Sequence, residues 1–192
     1  MSAKQYIDAQ QLLDDSYRLG LQILESGYLP SFIVGIWRGG APVGIAIHEL
    51  LDYFGVTTDH IAIRTSLYSG IEKRAGEVRV HGLGYVLDLI KGNDAVLIVD
   101  DVYDTGLSVQ QVLKNIRLER GEDMPEIRVA TPYFKPNNNK TDRAPDYYLH
   151  ETDDWLVFPH ELSGLSAREM LDNKPGIDCL REKLTALAKD QA

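Results

Sequence analysis

The chain has 192 residues, 44% of them hydrophobic and 26% charged, with a formal net charge of -9. That length and composition fit one soluble globular domain, or one domain with a small subdomain, able to bury a proper core. The acidic balance argues against a broad basic surface for a nucleic-acid backbone, while leaving room for a small local anion site. A single cysteine, Cys179, cannot form an internal disulfide. No apolar run approaches the ~20 residues of a membrane span, and the opening MSAKQYIDAQ lacks the apolar core of a signal peptide. The expectation is a cytoplasmic enzyme or binding protein, with no nucleic acid and no membrane among its partners.

In chain order, Leu13, Tyr17, Leu21 and Leu24 recur at helical spacing after a cap candidate at Asp8, predicting an amphipathic helix over 9–26. SFIVGIW, residues 31–37, reads as a buried strand ending at Arg38-Gly39-Gly40. Pro42 opens a second helix with Val43, Ile47, Leu50, Leu51 and Phe54 on one face and Gly55 as its stop. Residues 61–64 suggest a strand, and 66–84 a long loop or loose hairpin. Val96 to Val99 is the most strand-like run of all. A helix follows over 105–119, with Val109, Val112, Leu113 and Ile116 inward. Residues 127–130, 147–149 and 155–158 read as further strands, Asn137-Asn138-Asn139 as a turn, and 177–188 as a closing helix.

Strands alternating with helices predict an α/β fold: a mainly parallel twisted sheet flanked by helices. Ligands of such sheets lie beyond the carboxyl ends of the strands. The loops of interest are therefore 37–41, 64–84, 100–106 and 131–136.

The strongest signal is Val96-Leu97-Ile98-Val99-Asp100-Asp101-Val102-Tyr103-Asp104-Thr105-Gly106-Leu107-Ser108. A helix N-terminus presents unpaired N–H groups and a positive dipole end, which suits a phosphate. Gly106 permits close backbone approach, and Thr105 and Ser108 add hydroxyl donors. The three carboxylates cannot hold that phosphate; they suit sugar hydroxyls, a metal ion, or positive charge that develops during reaction. Piecemeal, Asp-Thr-Gly before a helix is also an ordinary cap.

Taken whole, the string resembles the phosphoribosyl-pyrophosphate (PRPP) signature of the type I phosphoribosyltransferases: apolar strand, paired acids, two residues, Asp-Thr-Gly, one residue, Ser or Thr. The resemblance implies that Asp100 and Asp101 hold the ribose hydroxyls and organise Mg2+. It implies that Thr105, Gly106, Leu107 and Ser108 cradle the 5-phosphate, and that Asp104 is the candidate general base. Many purine-specific members carry Lys where this chain has Leu107, a position where only a backbone contact is expected. The family's pyrophosphate loop falls on Arg38 and Gly39. Its closing loop starts with a Ser–Tyr pair, for which Ser66 and Tyr68 are the nearest match, separated here by one residue.

Residues 131–162, TPYFKPNNNKTDRAPDYYLHETDDWLVFPHEL, look like the hood of the hypoxanthine-guanine and xanthine-guanine enzymes. Lys135 would donate to a purine 6-oxo oxygen, Trp155 would stack on the base, and backbone around Leu156 and Val157 would meet the ring edge. Glu161 matches an acidic position linked to a second magnesium. The resemblance implies a single phosphoribosyltransferase domain, with its core at about 28–132 and its hood at about 133–165, the N-terminal helix contributing to the latter. It further implies purine salvage: PRPP and a 6-oxopurine give a nucleoside monophosphate and pyrophosphate, in a homodimer or homotetramer. A phosphoribosyltransferase for orotate or uracil, and a non-catalytic PRPP sensor, are the alternatives. The choice among hypoxanthine, guanine and xanthine stays open.

Overall fold

The computed structural model describes residues 4–67, 78–174 and 176–189. They pack as two compact units, one of Leu13–Asp153 and one of the residues up to Leu12 together with those from Asp154 onward. The helix α1, Ala9–Glu25, is common to both.

The larger unit is built on β2 (Phe32–Trp37), α2 (Gly40–Tyr53), β3 (Asp59–Leu67), β4 (Val78–His81), α3 (Gly84–Leu89), β5 (Ala95–Val99), β6 (Val102–Tyr103), α4 (Leu107–Arg120), β7 (Glu126–Phe134) and β8 (Tyr147–Glu151). Its sheet runs in the order β4-β3-β2-β5-β7-β6, with β8 also paired to β7. All pairings are parallel except β3 with β4. The mainly parallel sheet expected from the sequence is therefore present. The central strands are covered on both faces, which is why they are continuous apolar runs without alternation: Val96, Leu97, Ile98 and Val99 are all fully buried. Val34, Ile36, Val96 and Ile98 share one core cluster with Val109, Val112 and Ile116 of α4 and Val86 of α3. Each such aliphatic side chain contributes about 1.5–3 kcal/mol by leaving water.

Two features of this sheet position the site. Val99 pairs with Ala130 and Val102 with Tyr133. The register is unbroken across the gap, so β5 and β6 are one strand along β7, interrupted only at Asp100 and Asp101. The neighbouring positions on β7 are Thr131 and Pro132, and Pro132 has no N–H to give a ladder. The 66–84 stretch is in part a hairpin, since Ser66 faces Arg79 in the β3–β4 register. Residues 68–77, including Tyr68, lie outside the described residues.

Several expectations need correction. The buried face of α1 is Leu12, Ser16, Leu19 and Ile23, whereas Leu13, Tyr17 and Leu21 are 38–41% exposed. The inner stripe was masked by polar residues: buried Asp15 accepts from His150 Nε2 at 2.9 Å. Phe54 is exposed rather than inward because it is the C-cap, where the backbone leaves the helix before Gly55 at φ 79°. Helix α4 starts at Leu107, two residues later than the periodicity placed it, and β7 extends to nine residues.

The smaller unit contains β1 (Lys4–Tyr6), β9 (Trp155–Val157), α5 (Ala167–Asn173), a 3-10 turn at Ile177–Leu180 and α6 (Arg181–Lys189). The closing helix therefore begins with a tighter turn, and β1 and α5 were not anticipated. β1 pairs parallel with β9, and the pairing is extended by Ile7 N–H donating to the Val157 carbonyl at 3.0 Å. Two strands alone are marginal in water. A further tie runs to α5: Lys4 Nζ reaches Glu169 Oε1 at 2.5 Å. Glu169 also completes a capping box with Ser166.

Those three donors, the Lys4 ammonium first and then the Ser166 amide and hydroxyl, hold the Glu169 carboxyl down to about 2. A depressed carboxylate pKa adds stability that is present above its unfolded value and lost as pH falls toward the folded one. Local stability of β1 should therefore decline between pH 4.5 and about 2. Glu169→Gln should flatten that decline, as read from amide exchange at residues 4–7 across the same range.

Candidate functional site

The site forms where β2, the broken strand β5/β6 and β7 end side by side. Fully buried Val99 delivers the chain to Asp100, whose N–H still donates to the Ala130 carbonyl at 3.2 Å. Asp101 is 8% exposed. The turn Arg38-Gly39-Gly40 lies directly against this pair. A Cβ on Gly39 would stand 1.9 Å from Asp101 Oδ2, and one on Gly40 would stand 2.2 Å from the Val99 carbonyl oxygen. Both glycines are therefore required by contact and not by turn conformation, since Gly39 has φ -66° and neither has a positive φ. The peptide between Trp37 and Arg38 is cis, and Arg38 is exposed.

Burial holds the Asp100 carboxyl well above the usual carboxylate range, and the charge of Asp101 adds to this. The amides of Asp101 and Gly40 donate to it and pull the other way. Two adjacent carboxylates in one sheltered place are a donor set that a hard cation relieves. Mg2+ typically takes one or two carboxylates and completes its shell with water and substrate phosphate, so Asp100 and Asp101 fit that ion. Among the described residues, no three His, Cys, Asp or Glu side chains gather into a cage.

Beyond the acids lies the phosphate-like cradle. Gly106 has φ 73° and serves as the N-cap of α4, so an L side chain there is strained. A Cβ would also meet the Tyr103 ring at 2.6 Å and Thr141 Oγ1 at 2.8 Å. A cavity of about 210 Å³ is lined by Asp100, Asp101, Asp104, Thr105, Gly106 and Ser108 among others. Thr65 Oγ1 of β3 donates to Ser108 Oγ at 3.3 Å. That hydroxyl joins the cradle without having been singled out from the sequence; its signal was its place at the carboxyl end of a parallel strand. Ser66, next to it, has its Oγ 3.4 Å from His81 Nε2.

The pairing of β6 with β7 brings Asp104 and Lys135 together. Lys135 N–H donates to the Tyr103 carbonyl at 2.9 Å, and Lys135 Nζ lies 3.6 Å from Asp104 Oδ2. The Lys135 side chain is only 13% exposed, so most of its length is covered, with its ammonium beside Asp104. Asn138 Nδ2 donates to Asp104 Oδ1. Lys140 N–H donates to the Thr105 carbonyl at 3.0 Å, and Tyr103 Oη is 3.0 Å from Thr141 Oγ1. The 138–143 segment thus braces the cradle from behind.

In the smaller unit, Trp155 is 61% exposed while Leu156 and Val157 are buried. Trp155 is not a core residue; its indole presents a flat face outward from β9. Glu161 Oε2 accepts from the Phe158 N–H at 3.3 Å.

The chain matches the phosphoribosyl transferase domain model over residues 2–166. It therefore belongs to the phosphoribosyltransferase family. Among solved structures, it is similar to a purine phosphoribosyltransferase from Pyrococcus horikoshii, with 29% identity and a TM-score of 0.65, over 85% of this chain and 97% of that one. A Neisseria gonorrhoeae protein with bound ppGpp matches 100% of this chain and 99% of its own, at 19% identity and a TM-score of 0.70. The xanthine-guanine-hypoxanthine phosphoribosyltransferase of Helicobacter pylori matches over 81% and 92%, at 21% identity and a TM-score of 0.62. No curated protein matches the chain in sequence.

The glycine contacts make a direct prediction. Gly39→Ala must displace the Asp101 carboxylate, and a misplacement of about 1 Å can cost about a hundredfold in rate. The kcat/KM for PRPP is expected to fall by about that factor, with the far-ultraviolet circular dichroism spectrum unchanged.

Proposed function

We propose that this chain is a purine phosphoribosyltransferase that joins hypoxanthine, guanine or xanthine to PRPP, releasing pyrophosphate and the nucleoside 5'-monophosphate. The observation that carries this reading is the Asp104–Lys135 pair, 3.6 Å apart beside the Thr105–Ser108 cradle and packed in the same unit. The edge of a 6-oxopurine offers a carbonyl acceptor next to an imidazole nitrogen that carries or shares a proton. An ammonium and a carboxylate side by side complement that edge. Adenine would turn an amino group toward Lys135, donor against donor.

In this reading the phosphate of PRPP rests on the N–H groups that open α4, with the Thr105 and Ser108 hydroxyls. Asp100 and Asp101 face the ribose, where their charge stabilises a sugar that gains cationic character as its bond to pyrophosphate breaks. Arg38 and the amides beside Gly39 receive the leaving charge. When bound, magnesium supplies further positive charge for the pyrophosphate, and Asp100 and Asp101 would hold it, with Glu161 a candidate for a second ion. The purine nitrogen forms the new bond to the anomeric carbon while Asp104 takes up the imidazole proton. The family resemblance assigns base stacking to the exposed Trp155 and the ring edge to the backbone of Leu156 and Val157. Ser66 and Tyr68 open the segment that would close over the reacting centre. The acidic composition and the lone cysteine support a cytoplasmic setting; among the described residues no helix is long and apolar enough to cross a membrane. The exposed Leu13, Tyr17 and Leu21 of α1 offer apolar surface for a homodimer or homotetramer.

A second reading is favoured by the full-length match to the protein with bound ppGpp. A guanosine polyphosphate would then occupy the same cradle, making the chain a sensor or an inhibitable enzyme. Competition between ppGpp and PRPP, measured with and without turnover, separates the two.

With PRPP and magnesium, a panel of hypoxanthine, guanine, xanthine, adenine, orotate and uracil should give turnover with the 6-oxopurines. Adenine should be disfavoured by at least about a hundredfold in kcat/KM. Asp104→Asn should lower kcat by about 10²–10⁴, and full turnover in that variant would remove its role as base. Lys135→Met should erase most of the preference over adenine.

A further inference from the structure

Asn137, Asn138 and Asn139 read in the sequence only as a turn, but their side chains do three different things. Asn137 Nδ2 donates to Asp153 Oδ2 at 2.5 Å. Asn139 Nδ2 donates to the Arg143 carbonyl at 2.9 Å, and its Oδ1 accepts from the Thr141 N–H at 2.9 Å. Asn138 alone points its amide at the site, onto Asp104 Oδ1. We infer that Asn138 is the positioning residue for the base that accepts the purine proton, an assignment that rests on the purine-transfer reading above.

The Asp104 side chain is 42% exposed, so packing does not fix its rotamer. Among the described residues it has two partners, one on each oxygen. Lys135 at 3.6 Å is attracted by charge but lies beyond hydrogen-bond length. Once a purine carbonyl arrives, the ammonium is drawn to it, and its hold on the carboxylate weakens further. Asn138 has no such competing acceptor. Its backbone is anchored on both sides: Asn138 N–H donates to the Lys135 carbonyl at 3.2 Å, and Lys140 N–H donates to the Thr105 carbonyl at 3.0 Å. The choice of an amide also follows. A neutral amide orients one carboxylate oxygen through a hydrogen bond and adds no second charge beside the Lys135 ammonium. Asn138 is exposed and contributes no packing to the core.

The test compares Asn138→Ala, Asn138→Asp and the control Asn137→Ala in steady-state turnover of hypoxanthine with PRPP. The expected result is a kcat lower by about tenfold in Asn138→Ala, the scale of one hydrogen bond to a charged group, with the KM for PRPP within about twofold. Asn138→Asp should be at least as impaired, because it keeps the turn and the shape but replaces the donor with a repelling carboxylate. Asn137→Ala should match the wild type. A role in the turn alone predicts the opposite order, since Asp suits a turn better than Ala. Wild-type kcat in Asn138→Asp, or a raised KM for PRPP with kcat unchanged, would overturn the inference and leave the purine reading standing. Absence of turnover with every 6-oxopurine in the wild type would defeat that reading, and the role of Asn138 with it.

Discussion

The geometry of this molecule depends on a two-residue interruption in a buried strand. β5 and β6 share one register along β7, and Asp100 and Asp101 occupy the gap between them. A strand inside a parallel sheet normally has both backbone edges paired and both faces covered, which is no place for two carboxylates. Here Pro132 offers no N–H beside the gap. The chain keeps the Asp100 N–H on the Ala130 carbonyl, leaves the ladder beyond it and rejoins at Val102. Apolar residues enter the gap fully buried, and acids stand within it.

The interruption then constrains everything around it. Gly39 and Gly40 must lack side chains because the acid pair and the Val99 carbonyl fill the space where Cβ atoms would be. The loop after β2 and the loop after β5 are thereby held against each other, with the Gly40 amide donating to the Asp100 carboxylate. After the gap, β6 is long enough to reach Tyr133 and Phe134, and this pairing places Asp104 next to Lys135. Tyr103 closes the arrangement: its ring leaves no room for a side chain at Gly106, and its hydroxyl meets Thr141 behind the cradle. Electrostatics and packing are therefore coupled. The same close approaches that set the backbone also shelter Asp100, keeping its carboxyl above the ordinary range.

The parts of the site that were legible in the sequence are those specified locally. The thirteen residues from Val96 to Ser108 hold strand, acids, turn glycine and helix start in one contiguous run, so each piece reinforces the next. Arg38-Gly39-Gly40 was visible as a turn, but its reason was not. A turn glycine and a contact glycine look alike until the neighbouring loop is in place. Thr65 and Asn138 carried no local mark, because a hydroxyl on a strand and an amide in a turn acquire meaning only from what they face. The error in α1 has the same origin. Periodicity identified a helix correctly, yet two apolar stripes competed, and the one containing Asp15 and Ser16 was buried because His150 provides Asp15 with a partner.

The sequence by itself determined the alternation of apolar strands and helices, the helix opening that suits a phosphate, and the acids that precede it. These follow from period, capping and composition, which act over a few residues. Only the tertiary structure decided which side chains meet. It joined Lys135 to Asp104 across 31 positions through the register of β6 on β7, set Gly39 against Asp101, and turned one asparagine of three toward Asp104. Those are matters of register and close approach between distant segments, and a one-residue slip in any strand would have dissolved them.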